Sequence, residues 1–208
     1  MKMSSPLNLM LTTLAIGSVS LTSAFAETKK DDFELAMVIK ETTNPYYNAT
    51  LTGARIAAEE IGGTANNYGP TQASGQAQVD IINNLADRHI PAIAIAPSDP
   101  DAVVPAMKRA QKLGAKVITF DADSAPDGRP FFVNQGTSDS IGRFGAQLLV
   151  KAMGPKGKVA IVSAQPTAAN QNAWIAAFRD ELKQYKDIEI VDEVYGYDNE
   201  QKAFDATV

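Results

Sequence analysis

Three points in the chain gather side chains suited to holding a polyhydroxylated molecule. Lys40 ends the apolar run 35-LAMVI-39 and leads into 41-ETTNPYYNAT-50, which carries Asn44, Tyr46 and Tyr47. Asp121 and Asp123 follow 116-KVITF-120, and Asn170-Gln171 follows 159-VAIVSAQPTAA-169. A sugar offers apolar C–H faces and a rim of hydroxyls. Aromatic rings suit the faces, while carboxylates and amides suit the rim, since an amide can donate and accept at once. An unmatched buried polar group costs about 1–3 kcal/mol, so such a site discriminates strongly.

Other chemistries find less support. The chain has one histidine and no cysteine, a poor basis for a transition-metal site or a disulfide framework. His89 sits beside Arg88 where a helical pattern ends, and reads as a surface residue. Gly154-Pro-Lys-Gly-Lys lacks the spacing of a phosphate loop, no G-x-G-x-x-G follows the first strand, and no G-x-S-x-G elbow occurs. No cofactor is predicted. A net charge of −5 without basic clusters argues against nucleic acid as a partner.

The elements that must position these residues alternate in character. Strand-like runs fall at Leu35–Ile39, Ala92–Ala96, Val117–Phe120, Val159–Val162 and Ile188–Val194, short enough for strands buried on both faces of a parallel sheet. Helical stripes lie between them: Leu51, Ala54, Ala58 and Ile61; Val79, Ile82 and Leu85; Val103, Met107 and Ala110; Ile141, Phe144, Leu148 and Ala152; and Trp174, Phe178, Leu182 and Tyr185. Pro45 suits a helix start, and Gly62-Gly63 and Gly114 suit helix ends. The expected fold is α/β, with doubly wound parallel sheets and right-handed crossovers. Ligands of such sheets bind outside the carboxyl ends of the strands, where Lys40, Asn44, the tyrosines and Asp121 share a rim.

Residues 1–26, MKMSSPLNLMLTTLAIGSVSLTSAFA, have a lysine ahead of a short apolar segment and end in A-x-A. That is the pattern of a secretory signal peptide cleaved after Ala26, and it predicts an exported, periplasmic product.

The order strand–K-x-x-x-N-P-Y-Y–helix, then 91-PAIAIAPSDPDAVVPAMKRAQKLGAKVITFDAD-123 and 157-GKVAIVSAQPTAANQNAW-174, resembles the periplasmic sugar-binding proteins of ABC importers. The type is the ribose-binding, lac-repressor-like one (periplasmic binding protein type I). Gly69-Pro70-Thr71, the Asp121 strand end and Asn170-Gln171-Asn172-Ala173-Trp174 are most similar to the autoinducer-2-binding and rhamnose-binding receptors. The resemblance covers nearly all of residues 34–208. It implies two α/β lobes closing on a sugar-like ligand about a hinge, a monomer, no catalysis, and a membrane ABC permease as partner. Lys40 and Asp121 match ligand contacts of the first lobe, and Asn170 and Gln171 match the pair from the second. Tyr46 and Tyr47 match aromatic cleft positions, with Asn44 and Asn134 beside them. Autoinducer-2 receptors more typically carry Asp-Gln where this chain has Asn170-Gln171, which leaves a pentose, deoxyhexose or sugar alcohol open.

These readings divide the chain into a signal peptide (1–26), an N-terminal lobe (27–136), a crossover helix and hinge (137–153) and an incomplete C-terminal lobe (154–208). The last would hold two strands with faces partly uncovered, as expected of a truncated product with weak or no ligand affinity. Two alternatives stay open: a ligand-sensing domain related to transcription repressors, and a secreted carbohydrate-active enzyme using Asp121 and Asp123 as paired carboxylates.

Overall fold

The computed structural model describes residues 33–208; the predicted export signal and its cleavage point lie outside them. Strand β1 (Glu34–Val38) leads to helix α1 (Tyr46–Glu60), β2 (Thr64–Tyr68), α2 (Gly75–Asp87), β3 (Ala92–Ile95), α3 (Val104–Lys112) and β4 (Lys116–Phe120). A 3₁₀ turn at Pro126–Gly128 precedes β5 (Phe132–Val133), then α4 (Ser138–Met153), β6 (Lys156–Ser163), α5 (Ala169–Leu182), β7 (Asp187–Tyr195) and α6 (Glu200–Asp205). The first five strands form one parallel sheet in the order β2-β1-β3-β4-β5, and β6 and β7 form a second parallel pair.

The five-stranded sheet is covered on both sides, as the period-2 alternation of strand side chains requires. Ala36, Val38, Ile93, Ile95 and Val117 face α2 and α3, where Ile82, Leu85, Met107 and Ala110 meet them. Met37, Ile39, Ala94, Ala96 and Phe120 face the other way, against Tyr47, Leu51 and Ala54 of α1. Central β3 is buried along its whole length.

Two strands fall outside the predicted runs. β2 (TANNY) lies at the sheet edge and pairs only with β1, so it can carry two asparagines at partly exposed positions. β5 is only two residues long. β2 shows no apolar run because an edge strand is not obliged to be apolar, and β5, though apolar (FV), is too short to show a pattern.

The second sheet corrects a broader expectation. β6 and β7 alternate between partly buried and exposed residues rather than being buried on both faces. Val162 and Val191 remain 47% and 50% exposed, and Val191 is the extra residue at a bulge between Val159 and Ala160 of the partner strand. The predicted stripe on α4 is corrected too. Phe144 and Leu148 point to solvent, whereas Gly142 and Ala146 are buried. Helix α4 packs closely on α5 at Gly142, with Arg143 and Gln147 bonded to Asp180 and Glu181 alongside, and not through Phe144 and Leu148. Ile61, expected on the buried stripe of α1, is also exposed. Among the described residues no helix is long and apolar enough to cross a membrane.

Gly142 is required by this close helix crossing. A Cβ there would lie 2.2 Å from the Trp174 carbonyl oxygen and 2.6 Å from the Ala177 Cβ. Gly53, in the middle of α1, has nothing within 4 Å. Gly142→Ala should therefore lower unfolding free energy by about 1–3 kcal/mol through overpacking. Gly53→Ala should raise it by about 0.5–1 kcal/mol by removing a helical glycine. Urea unfolding of the two variants checks both signs.

Candidate functional site

The carboxyl ends of β1 and β4 bring together a lysine and an aspartate. Lys40 is 1% exposed and Asp121 7%, with Nζ 3.8 Å from Oδ2. Charges so poorly hydrated persist only when paired and hydrogen-bonded. Asp121 is surrounded accordingly: Oδ2 accepts from the Tyr47 hydroxyl at 3.2 Å, and Oδ1 accepts from Gln135 Nε2 at 3.1 Å and Asn170 Nδ2 at 3.3 Å. Lys40 donates to Asn170 Oδ1 at 3.1 Å, which also accepts from the Gln171 N–H at 2.9 Å. The Asn170 amide is therefore oriented by a donor on one side and an acceptor on the other.

Local backbone aims these groups. Asp121 has φ +60°, and a three-residue turn closes around it by donation from the Ala122 N–H to the Phe120 carbonyl at 2.6 Å. A non-glycine residue in this region is sustained by its surroundings, here the four partners of its carboxylate. The buried amide of Gln78 ties the strand ends behind the site. It donates to the Ile39 and Ala96 carbonyls at 3.0 and 2.8 Å and accepts from the Ser98 N–H at 2.8 Å. The Ser98 carbonyl then accepts from Gln165 Nε2 at 2.7 Å and Thr167 Oγ1 at 3.0 Å, both in the loop after β6.

Seven of the eight residues that the resemblance assigns to the ligand cleft line one cavity of about 170 Å³: Lys40, Asn44, Tyr46, Tyr47, Asp121, Asn170 and Gln171. Their places differ from expectation in two respects. Tyr47 is not an exposed plate. It is 2% exposed, its ring meets Phe120 edge-on at 6.3 Å, and only its hydroxyl reaches the polar network. Tyr46 is the exposed ring of the two, set edge-to-face on Tyr47 at 5.2 Å. Asn134 does not line the cavity. It is exposed and accepts from the Gly136 N–H just past the two-residue β5, while the next residue, Gln135, reaches Asp121. Asn44 accepts from the Tyr46 N–H at 3.0 Å and so shapes the start of α1. Gln171 accepts from Ser163 Oγ and the Ala164 N–H at 3.0 and 2.7 Å, which leaves its amide NH₂ as the donor.

Gln135, Trp174 and Asp198 complete the wall. Asp198 was legible in principle, because it follows β7 much as Asp121 follows β4. Asp121 and Asp123 do not form a carboxylate pair. Asp123 turns away to Arg129 Nε at 2.8 Å, Thr119 Oγ1 at 2.6 Å and the Ser124 N–H at 2.9 Å. Burial works against its charge, but these donors hold its carboxyl below the usual range. Burial pushes the Tyr47 hydroxyl well above its ordinary value, with Asp121 and Asp198 adding to the effect. Burial likewise raises Asp198; Lys40 opposes that shift, and Asp121 and Glu41 reinforce it. The small cavity adjoins a larger hollow of about 1030 Å³, and Asn44, Gln171 and Asp198 line both. Among the described residues no group of acidic or histidine side chains is arranged to hold a metal ion.

Residues 35–208 match the periplasmic binding protein domain family, and the chain belongs to that family. It is 25% identical over 187 residues to the D-allose-binding periplasmic protein of Escherichia coli K12, a match covering 85% of this chain and 58% of that protein. A solute-binding protein of an ABC transporter from Clostridium phytofermentans, solved with bound L-rhamnose, superposes with a TM-score of 0.80 at 30% identity, covering 84% of this chain and 55% of that one. LsrB from Clostridium saccharobutylicum, in complex with AI-2, superposes with a TM-score of 0.77 at 26% identity, covering 83% and 56%. The chain thus spans little more than half the length of these proteins.

Removing one member of the buried pair should cost more than removing both. Lys40→Met should lower stability by about 3 kcal/mol because Asp121 keeps an uncompensated charge, and Asp121→Leu in addition should recover part of it. A double-mutant cycle by urea unfolding measures the coupling. For Tyr47 the folded state holds its proton more tightly than the unfolded chain. Its contribution is complete below about pH 10, the ordinary tyrosine value, and is lost as pH rises through the folded value. Wild-type stability should therefore fall more steeply above pH 10 than that of Tyr47→Phe.

Proposed function

We propose that this member of the periplasmic binding protein family is a solute-binding component of an ABC importer, holding a small polyhydroxylated ligand in the cavity walled by Lys40, Tyr46, Asp121, Asn170 and Gln171. A periplasmic setting follows from the family, and the partner is a membrane permease of the ABC class. The observation that carries the reading is convergence. A lysine, an aspartate and two amides from three separate segments meet on one cavity with Tyr46 and Trp174 beside them. At about 30 Å³ per water, the space holds roughly six waters, the scale of one sugar ring.

The arrangement supports capture rather than chemistry. Asp123 is occupied by Arg129, Thr119 and Ser124, so it is not the partner that glycoside hydrolysis would pair with Asp121; the other carboxylate on the wall, Asp198, shares it with an Asp121 already engaged by Tyr47, Gln135, Asn170 and Lys40. The contacts joining the two sheets at the cavity are polar side-chain bonds: Asn170 to Asp121, and Gln165 and Thr167 to Ser98. Such an interface can part and re-form around a ligand. The similar proteins bind allose, rhamnose and AI-2, which supports a neutral sugar or sugar-like molecule as the ligand.

Calorimetric titration against pentoses, deoxyhexoses, hexoses, polyols and AI-2 tests the proposal. Weak binding of at least one, with the ligand recovered unchanged, is the expected result for a chain spanning little more than half the length of its relatives, and Asn170→Ala should weaken it about tenfold or more. Turnover of a labelled sugar, or no binding across the panel, would reject it.

A further inference from the structure

We infer that Asp198 is the ligand-selecting acceptor of this cavity and that it restricts the ligand to uncharged polyols, excluding sugar acids and sugar phosphates. The inference rests on the sugar-receptor reading above and deepens it. The sequence pointed to Asp121 as the acceptor for ligand hydroxyls. In the structure that carboxylate is already engaged by Tyr47, Gln135, Asn170 and Lys40. Asp198 differs: its Oδ2 is shielded from solvent and has no hydrogen-bond partner among the described residues. The other such side-chain atoms, Asn67 Oδ1, Asn83 Oδ1 and Ser98 Oγ, belong to residues outside the cavity wall. Asp198 belongs to it.

The backbone holds this carboxylate in place. After β7 the Gly196 and Tyr197 N–H groups donate to the Ser163 and Ala164 carbonyls at 2.8 and 2.6 Å, pinning the turn to the end of β6. Gly196 permits the fit, since a Cβ there would lie 2.7 Å from the Ala203 Cβ. Tyr197 and Asp198 then adopt φ +55° and +57° in succession, an uncommon conformation for two non-glycine residues and one that the surroundings must sustain. The next residue, Asn199, caps α6 by accepting from the Lys202 N–H at 3.1 Å. The capping task is therefore met without Asp198. An unpartnered carboxylate on the wall of a polar cavity lowers stability unless something donates to it.

Charge sets the class of donor. The charged groups acting on Asp198 are Lys40, Asp121 and Glu41. Lys40 is already balanced by Asp121. Lys202 lies over the Tyr197 ring, 5.2 Å from its centroid, and donates to Gln72, so it does not neutralise the carboxylate either. An ionised Asp198 thus leaves the cavity with excess negative charge. A hydroxyl donor gains a charge-assisted bond there, whereas a carboxylate or phosphate on the ligand meets like charge in a poorly hydrated space. Burial and the neighbouring acidic groups raise the Asp198 carboxyl, a sign that the ligand-free protein is destabilised by holding it.

Calorimetric titration of the chain and its Asp198→Asn and Asp198→Ala variants with D-allose and L-rhamnose, and with D-galacturonate and D-ribose 5-phosphate as anionic probes, tests this. The wild type should bind a neutral sugar and neither anion. Both variants should bind the neutral sugar at least tenfold more weakly, and Asp198→Asn should narrow the gap between neutral and anionic ligands. Ligand-free Asp198→Asn should melt at or above the wild-type temperature. Variants that bind the neutral sugar within twofold of wild type overturn the role of Asp198 while leaving the receptor reading intact. An Asp198→Asn variant that melts well below wild type overturns it as well, by revealing a structural partner for the carboxylate. A wild type that binds no neutral sugar overturns both readings together.

Discussion

A lysine and an aspartate, each almost without access to water, set the terms for this structure. Separating either from its counterion inside the protein would be costly, and the pair alone would leave lone pairs and protons unsatisfied. The fold answers with hydrogen bonds from distant segments: Tyr47 at the start of α1, Gln135 after β5 and Asn170 at the start of α5. Each of these segments is an end of a regular element. A parallel sheet brings such ends together, because all its strands finish on the same side.

The same network couples the two sheets. Asn170, from the layer built on β6 and β7, is hydrogen-bonded to both members of the ion pair held by the five-stranded layer. Gln78 transmits a second constraint by holding the ends of β1 and β3 together with Ser98, whose carbonyl receives Gln165 and Thr167. The contacts across this boundary are polar, whereas those within the five-stranded layer are dominated by aliphatic packing. A polar boundary is compatible with two halves that close around a ligand, because water can replace its hydrogen bonds on opening.

Stability and the proposed binding role pull against each other here. Buried polar atoms, a left-handed Asp121 and a shielded carboxylate at Asp198 all cost free energy in the ligand-free chain. The apolar layers around β1, β3 and β4 offset these costs. The small residues of α4, packed closely on α5, do the same for the smaller sheet.

Much of this was legible in the residues. The runs at 35–39, 92–96 and 117–120 had to be strands, since short apolar segments between helical stripes bury both faces only in a covered sheet. The rule that ligands lie beyond strand carboxyl ends singled out Lys40, Asp121 and the amides at 170–171. Polar edge strand β2 was not legible, because its hydrogen bonds rather than its side chains hold it in the sheet. Nor was the packing of α4 through Gly142 and Ala146, since the spacing of Phe144 and Leu148 marks a face but not the neighbour that meets it. The choice of Gln135 over Asn134 turned on where a two-residue strand ends. Tyr47 belongs to the core and Tyr46 to the rim because a helix start points adjacent residues in different directions. Composition and spacing alone determined the α/β class and the chemical palette, since both follow from local pattern. Only the tertiary structure decided which carboxylate is engaged and which is unpartnered, because hydrogen-bond satisfaction depends on neighbours brought from elsewhere in the chain.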